Sequence, residues 1–502
     1  MIELSLLQAA LPPLTRPTIV AIGVAYFVVI AAIGVWATRR TRTASDFFVA
    51  GRGIGLFALT MAAMSATVSG FTFIGGPGFV YASGFGAMFL VLPAALTTTM
   101  TTWILAKRLR LLGELRGLLT IPDAIGARYR SPAAQGLAGV AILIAVIGYL
   151  ATNLLALGIV VDAIFSTGLG WGIWIGMAVT LAYTAAGGMV AGVYTDLFQG
   201  TLMTVASALV FAFALDAGGG LAAMSRAIAS ADAMFLEPWG RMSPLAAMSL
   251  YFVFGVGAVA QPHVAHKFYM LRDPRRLKWY PLLMTVALLM ALLLYFGIGL
   301  SVRSLVSSGA LEPLAKPDDA TPAFLLAFAP TILSGLVFAG VAAAIMSTVN
   351  SFMSIGAAAV THDVPVALGR RLRHELAVGR LATVGISVLA ATIAQVSGTL
   401  VAFLGIFGWG LFASTLVPAL AIGLNWRGAT RTGAIASIAT GLLMTLALES
   451  VAWFGVYAFP TGVTISGASL ATSCLVFFGV SWAGRRTAAS TLDADVGLIM
   501  DI

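Results

Sequence analysis

Apolar runs long enough to cross a bilayer recur about thirteen times along this chain, and that recurrence leaves few folds open. A crossing helix needs roughly 20 mostly apolar residues. The runs lie near 17–38, 54–83, 85–106, 132–161, 170–186, 189–216, 243–262, 279–302, 328–360, 378–397, 399–425, 432–453 and 464–483. They are too long for transmembrane strands of about 10 residues, and the hydrocarbon core admits only helices and closed barrels. The pattern predicts an all-α polytopic membrane protein. Composition agrees, with 60% of 502 residues hydrophobic and only 9% charged, far from a soluble domain. The first run lacks a basic leader and a small-residue cleavage site, so it reads as a retained helix.

A net charge of +9 could suggest nucleic acid, but its distribution points to a membrane. Taking alternate loops, the basic residues fall at Arg39, Arg40, Arg42 and Arg52, and then at Lys107, Arg108, Arg110, Arg116, Arg128 and Arg130. They return at Lys267, Arg272, Arg275, Arg276 and Lys278, at Arg370, Arg371, Arg373 and Arg380, and at Arg427, Arg431, Arg485 and Arg486. Those loops hold 23 of the 28 Lys and Arg residues. With thirteen spans they share one side, and the positive-inside rule makes it the cytoplasm. The N-terminus is therefore expected outside and the C-terminus in the cytoplasm of a multi-pass cell-membrane protein. The single Cys474 excludes a disulfide framework or a cysteine metal site.

Two spans look broken. MAAMSATVSGFTFIGGPGFVYAS (Met61–Ser83) carries Gly70, Gly75, Gly76, Pro77 and Gly78, with Ser65, Thr67, Ser69 and Thr72 at its middle. FVFGVGAVAQPHVAHKF (Phe252–Phe268) carries Gly255, Gly257 and Pro262. These are the second and seventh spans, five helices apart, so a second unit would enter the membrane from the opposite side. Interrupted spans in corresponding positions mark inverted-repeat transporters, whose site lies near the midplane. Packing through small residues is the other explanation.

Polar residues within the spans are few. Asp196 follows a Gly-Gly turn at Gly187 and Gly188 and is expected near the cytoplasmic face, as an interfacial acid or an ion-path residue. Glu449 suits a structural or lipid-interface role; Asn153 and Gln395 suit helix-to-helix hydrogen bonds. His263 and His266 are placed at a basic cytoplasmic helix end, with no acid or cysteine at metal-ligand spacing.

One constellation can hold a cation. In GVAAAIMSTVNSFMS, Ala344, Ser347 and Thr348 share a helix face. Two hydroxyls are too few for an alkali ion, but unwound carbonyls coordinate Na⁺ in broken spans. The middle of the second span, around Ser65 and Val68, can supply them. Taken alone, Ser347 and Thr348 are better explained by back-bonding to the preceding turn.

Five elements then appear in a familiar order: DFFVAGRGIG (Asp46–Gly55) with VSGFTFIGGPG (Val68–Gly78), YTAAGGMVAGVYTDLFQG (Tyr183–Gly200), FGVGAVAQPH (Phe254–His263), IMSTVNS (Ile345–Ser351) and IFGWGLFASTLVPAL (Ile406–Leu420). Together they resemble the sodium/solute symporter family over residues 45 to 440. The resemblance implies about 13 transmembrane helices with a five-plus-five inverted repeat of the LeuT-like kind. Residues 1–45 would hold the first helix and loop, 46–217 the first repeat, 218–426 the second, and 427–502 the last two spans and a short tail.

It implies a Na⁺ site from the carbonyls of Ser65, Val68 and Ala344 and the hydroxyls of Ser347 and Thr348. Asp196 would stand on the ion's route to the cytoplasm. The substrate would lie against Ser69, Gly70, Phe71 and Thr72 on one side, and Phe254, Gly255, Ala258 and Gln261 on the other. Thr67 and Ala258 depart from the family's proline-carrying members, which have aspartate and tyrosine there; the second change would enlarge the pocket.

The expected activity is Na⁺-coupled import of a small organic solute, a carboxylate or zwitterion such as an amino acid. Proton coupling, or a sugar or polyol substrate, is the alternative within the same fold. About twenty residues after the last span are too few for a sensor's output domain, and no nucleophile has a base for enzyme chemistry. Na⁺ is the expected co-transported ion, with no organic cofactor, no nucleic acid and no obligatory protein partner.

Overall fold

The computed structural model describes residues 15–39, 49–370, 372–397, 401–454, 462–484 and 492–502. Arg40, Arg42, Asp46, Arg371, Arg485 and Arg486 lie outside the described residues. Among those described the chain is helical throughout, and 11 helices are long and apolar enough to cross a membrane. Leu56–Thr67 and Leu169–Ala182 are shorter apolar helices.

The second span breaks where its glycines and hydroxyls predict. A helix over Leu56–Thr67 ends as Val68 turns extended (φ −84°, ψ 98°). After Ser69 and Gly70 the chain resumes as a π-helical turn, Phe71–Gly75, and then as helix Gly76–Ser83. Gly70 is required by proximity: a Cβ there would lie 2.5 Å from that of Ala156. The seventh span breaks too. Helix Pro244–Gly255 gives way to a 3₁₀ turn at Gly257–Ala260, Gln261 is extended (ψ 121°), and Pro262 starts a single new turn. Helix Val401–Leu416 touches both breaks, with Ala402 against Gly75 and Ala413 against Gly257.

Three boundaries differ from expectation. The run at 85–106 opens as a 3₁₀ segment, Gly84–Leu90, and its helix forms only after Pro93, over Ala94–Thr101 and on to Lys107–Arg116. Lys and Arg are good helix formers whose heads reach outward, so the charged end extends the helix. Residues 169–217 form one helical element, without the turn expected at Gly187-Gly188; glycine disfavours a helix by only about 1 kcal/mol. The segment after Pro262 does not leave the bundle. Ile54 donates its amide to Met270 (3.0 Å) and Arg272 donates to Ile54 (2.8 Å), which tucks residues 263–271 inward. The residues 492–502 also dock rather than trail: Arg116 pairs with Asp493 (2.7 Å) and Arg427 with Asp501 (2.6 Å).

A short segment closes over the far half of the broken second span. Thr321 Oγ1 donates to the Phe73 carbonyl (2.7 Å), and buried Asp318 accepts the Val401 amide (2.9 Å). Burial pushes the Asp318 carboxyl up to about 6, against the opposing pull of that amide. A carboxyl whose folded value is raised stabilises the fold in its protonated form. That stability is present near pH 4 and is lost as pH rises through about 6. Asp318→Asn keeps an acceptor for Val401 and removes the buried charge. It is expected to flatten the pH dependence of melting between pH 4 and 7 and to add up to about 3 kcal/mol at pH 8. A melting profile with the wild-type pH step would show that Asp318 is not its source.

Candidate functional site

Helix Thr331–Ala358 crosses the first break and brings two hydroxyls onto its carbonyls. Ser347 Oγ donates to the Ser65 carbonyl (2.6 Å) and to the Ala344 carbonyl (3.1 Å). Thr348 Oγ1 donates to the carbonyls of Ala66 (3.1 Å) and Ala344 (3.0 Å). Ser65, Ala66, Ala344, Ser347 and Thr348 are all fully buried. These carbonyls are at hand because the helix ends at Thr67, leaving its last turn without a full set of internal partners. Three carbonyl and two hydroxyl oxygens, none charged, make a set of hard ligands suited to an alkali cation. Four of the five expected sources meet here. Val68, the fifth, follows directly and also walls the neighbouring cavity, and the Ala66 carbonyl joins the group in addition.

That cavity lies between the two breaks, with about 760 Å³ of open space including its mouth. Phe71, Thr72, Phe254 and Ala258 line it as expected. Phe254 stacks between Phe71 (centroids 5.7 Å) and Trp409 (5.1 Å), giving one wall a layered aromatic face. Thr72, Thr97, Thr98 and Thr101 and the ring of Tyr149 supply the polar part, and among the described residues no charged side chain lines it.

Ser69, Gly70, Gly255 and Gln261 are not among the residues that line the cavity; polar groups of each hold the breaks together. Ser69 Oγ pairs with the Tyr149 hydroxyl (3.1 Å), and the Gly70 amide donates to Asn153 Oδ1 (3.0 Å). The Gly255 carbonyl accepts from Thr97 (3.0 Å), and Gln261 Nε2 donates to the Trp409 carbonyl (3.1 Å). An unpaired amide or carbonyl at membrane depth costs several kcal/mol, so a break needs such partners. Asn153 is thus a helix-to-helix residue, as is Gln395, which accepts from Trp174 Nε1 (2.7 Å).

Asp196 is fully buried, and its partner is Lys267: Nζ lies 2.9 Å from Oδ2, and the two side chains are 0% and 1% exposed. Lys267 is therefore not a loop charge, and His263 and His266 are not at an exposed helix end. His263 packs on Phe352 (4.8 Å) and His266 bonds to the Leu119 carbonyl (2.7 Å). The inward tuck of residues 263–271 carries all three inside. Elsewhere, Asp123, His362 and Asp363 approach one another as metal ligands would. Burial would raise the Asp123 carboxyl, but His362 and the Leu119 and Thr120 amides hold it below the usual range. With Gln135 also bonded (2.8 Å), that carboxylate is already used in capping a helix.

A model of the sodium:solute symporter family matches residues 47–441. The chain belongs to this family. Among its relatives, the osmoregulated proline transporter of Bacillus subtilis is 26% identical over 442 residues, covering 85% of this chain and 88% of the relative. The sodium/pantothenate symporter of Escherichia coli is 25% identical over 459 residues, 88% and 93% of the two chains. A Na⁺-coupled sialic acid symporter in a substrate-bound outward-open state shares the fold with a TM-score of 0.75 at 18% identity, covering 93% and 98% of the chains. A nucleobase-cation-symport-1 transporter follows at 0.54 and 14% identity.

Within this symporter, sequence reading overlooked Trp409, Tyr149 and the threonines of Ala94–Thr101. Trp409 stood inside a motif already singled out, IFGWGLFASTLVPAL, but a lone aromatic in an apolar span carries no sign of which way it faces. The run LTTTMTT (Leu96–Thr102) was the available signal, since four-residue spacing puts Thr97 and Thr101 on one face.

Proposed function

We propose that this symporter imports a small organic carboxylate or zwitterion, such as an amino acid, with Na⁺, by alternating access across the cell membrane. The observation that carries the reading is the crossing of Ser347 and Thr348 onto the Ser65 and Ala66 carbonyls, directly beside a cavity lined by both breaks. The ion binds at the crossing. Its charge draws in the end of the broken helix, whose residues Phe71 and Thr72 face the solute, so each ligand is held better when the other is present. Asp196 lies on the ion's way out. Residues 46–217 and 218–426 act as the inverted repeats, with the N-terminus outside and the C-terminus in the cytoplasm.

The solute is apolar on one face and meets hydroxyls on the other. The aromatic layer of Phe71, Phe254 and Trp409 takes the first, and the hydroxyls of Thr72 and Thr101, which line the same cavity, take a carboxylate or hydroxyl. The absence of charged lining residues among those described disfavours polyanions. Relatives named for proline and for pantothenate fit that solute class.

The test is a thermal-stability screen of the purified protein against a solute library in Na⁺ and in K⁺. A ligand at 100 times its dissociation constant stabilises by about 2.7 kcal/mol. A compound that raises the melting temperature only in Na⁺ is the expected result. If no amino acid or small carboxylate does so, the proposed substrate class is wrong.

A further inference from the structure

Asp196 and Lys267 form an ion pair sealed from solvent, one turn from the proposed ion crossing. Lys267 Nζ lies 2.9 Å from Asp196 Oδ2 and 3.3 Å from Ser351 Oγ. Ser351 follows Ser347 by four positions and Thr348 by three, so it lies on their helix face, nearer the Arg370 end. The other carboxylate oxygen, Oδ1, is buried with no hydrogen-bond partner among the described residues. A sealed pair with an unspent ligand atom is a poor stabiliser, because desolvating two charges offsets much of their attraction. Its position suggests a different use.

We propose that the Lys267 ammonium is a tethered cation that competes with the departing Na⁺ for Asp196. The proposal rests on the ion crossing described above and adds the step that empties it. An ion leaving Ser347 and Thr348 moves one turn to Ser351 and the free Oδ1 of Asp196. Two cations cannot share one carboxylate in a desolvated site at low cost. The ammonium holds Oδ2 through its hydrogen bond and repels the ion outward. Asp196 thus attracts the ion without becoming a trap, and Lys267 restores the empty state after each cycle.

Removing the ammonium should convert Asp196 into a resident Na⁺ site. In Lys267→Met, equilibrium binding of radioactive Na⁺ to the full-length purified protein is expected to rise by one ion per chain. Na⁺ should raise its melting temperature at least twice as much as that of wild type. Lys267→Met with Asp196→Asn should lose both effects, and Lys267→Arg should bind as wild type does. Lys267→Met strands a buried carboxylate and can fold poorly, but the proposal then requires that Na⁺ rescue it. A variant that stays unfolded in high Na⁺ while the double variant folds overturns the proposal. So does a folded variant that takes up no extra ion. Failure of the ion crossing itself reads out separately, as wild-type Na⁺ binding that is indifferent to Ser347→Ala.

Discussion

Ser347→Ala is expected to raise the Na⁺ concentration for half-maximal uptake at least tenfold, and Thr348→Ala to do the same. Each removes one of five oxygens at the crossing; the preceding position on that helix face is Ala344, and the Ser351 hydroxyl one turn further on is engaged by Lys267. A tenfold change is about 1.4 kcal/mol, a modest demand for losing one ligand of a desolvated cation. The same hydroxyls also tie two helices together, so a purely structural role makes a different forecast. Losing one cross-helix hydrogen bond costs about 1 kcal/mol of stability and leaves Na⁺ dependence alone. Measuring uptake against Na⁺ beside melting temperature in Na⁺-free buffer separates the two. Unchanged Na⁺ dependence in both variants would remove the ion from this crossing.

Ala258→Tyr is expected to raise the KM for the native solute by one to two orders of magnitude, or to abolish uptake, with Na⁺ binding retained. Ala258 is one turn beyond Phe254 and faces the same cavity. A phenol ring there enters the space beside the Phe71–Phe254–Trp409 layer rather than the packed bundle, so the added volume displaces solute. Forcing ring and solute together costs about 1–3 kcal/mol, or roughly five- to hundredfold in affinity. Na⁺-induced thermal stabilisation serves as the control for folding. Normal uptake by Ala258→Tyr would mean that the solute binds somewhere other than this cavity.

The breaks were legible because they need special residues. Gly70 must lack a side chain to fit against Ala156, and Pro262 starts the new turn after the extended Gln261. The crossing was legible because two hydroxyls at helical spacing stood opposite a break. What holds the breaks was not legible. Asn153, Tyr149, Thr97 and Thr321 act across 80 to 248 residues of chain, and nothing local distinguishes them from ordinary small-polar packing. Ser69, Gly70, Gly255 and Gln261 were assigned to the solute for the same reason: position near a break does not reveal whether a polar group is spent. Lys267 was misread for a simpler one. A lysine next to a basic loop looks like loop; bonds to distant residues, among them those of Ile54 with residues 270 and 272 and of Tyr269 with Thr120, turn that segment inward.

The dependence of the first break on distant partners bears on how the chain is made. The peptide groups that the break gives up are taken by side chains from elsewhere: the Gly70 amide by Asn153, the Phe73 carbonyl by Thr321, and the Ser65 and Ala66 carbonyls by Ser347 and Thr348. All of these lie later in the sequence, the last nearly three hundred residues on. During synthesis the second span reaches the membrane before any of them. Bare peptide groups in hydrocarbon cost several kcal/mol each, so the nascent span must remain continuous helix or wait in a wet, protein-lined place. Its kink is therefore a late event of biogenesis, set only once the ninth span arrives. The crossing of Ser347 and Thr348 onto the Ser65 and Ala66 carbonyls completes the broken helix in that step.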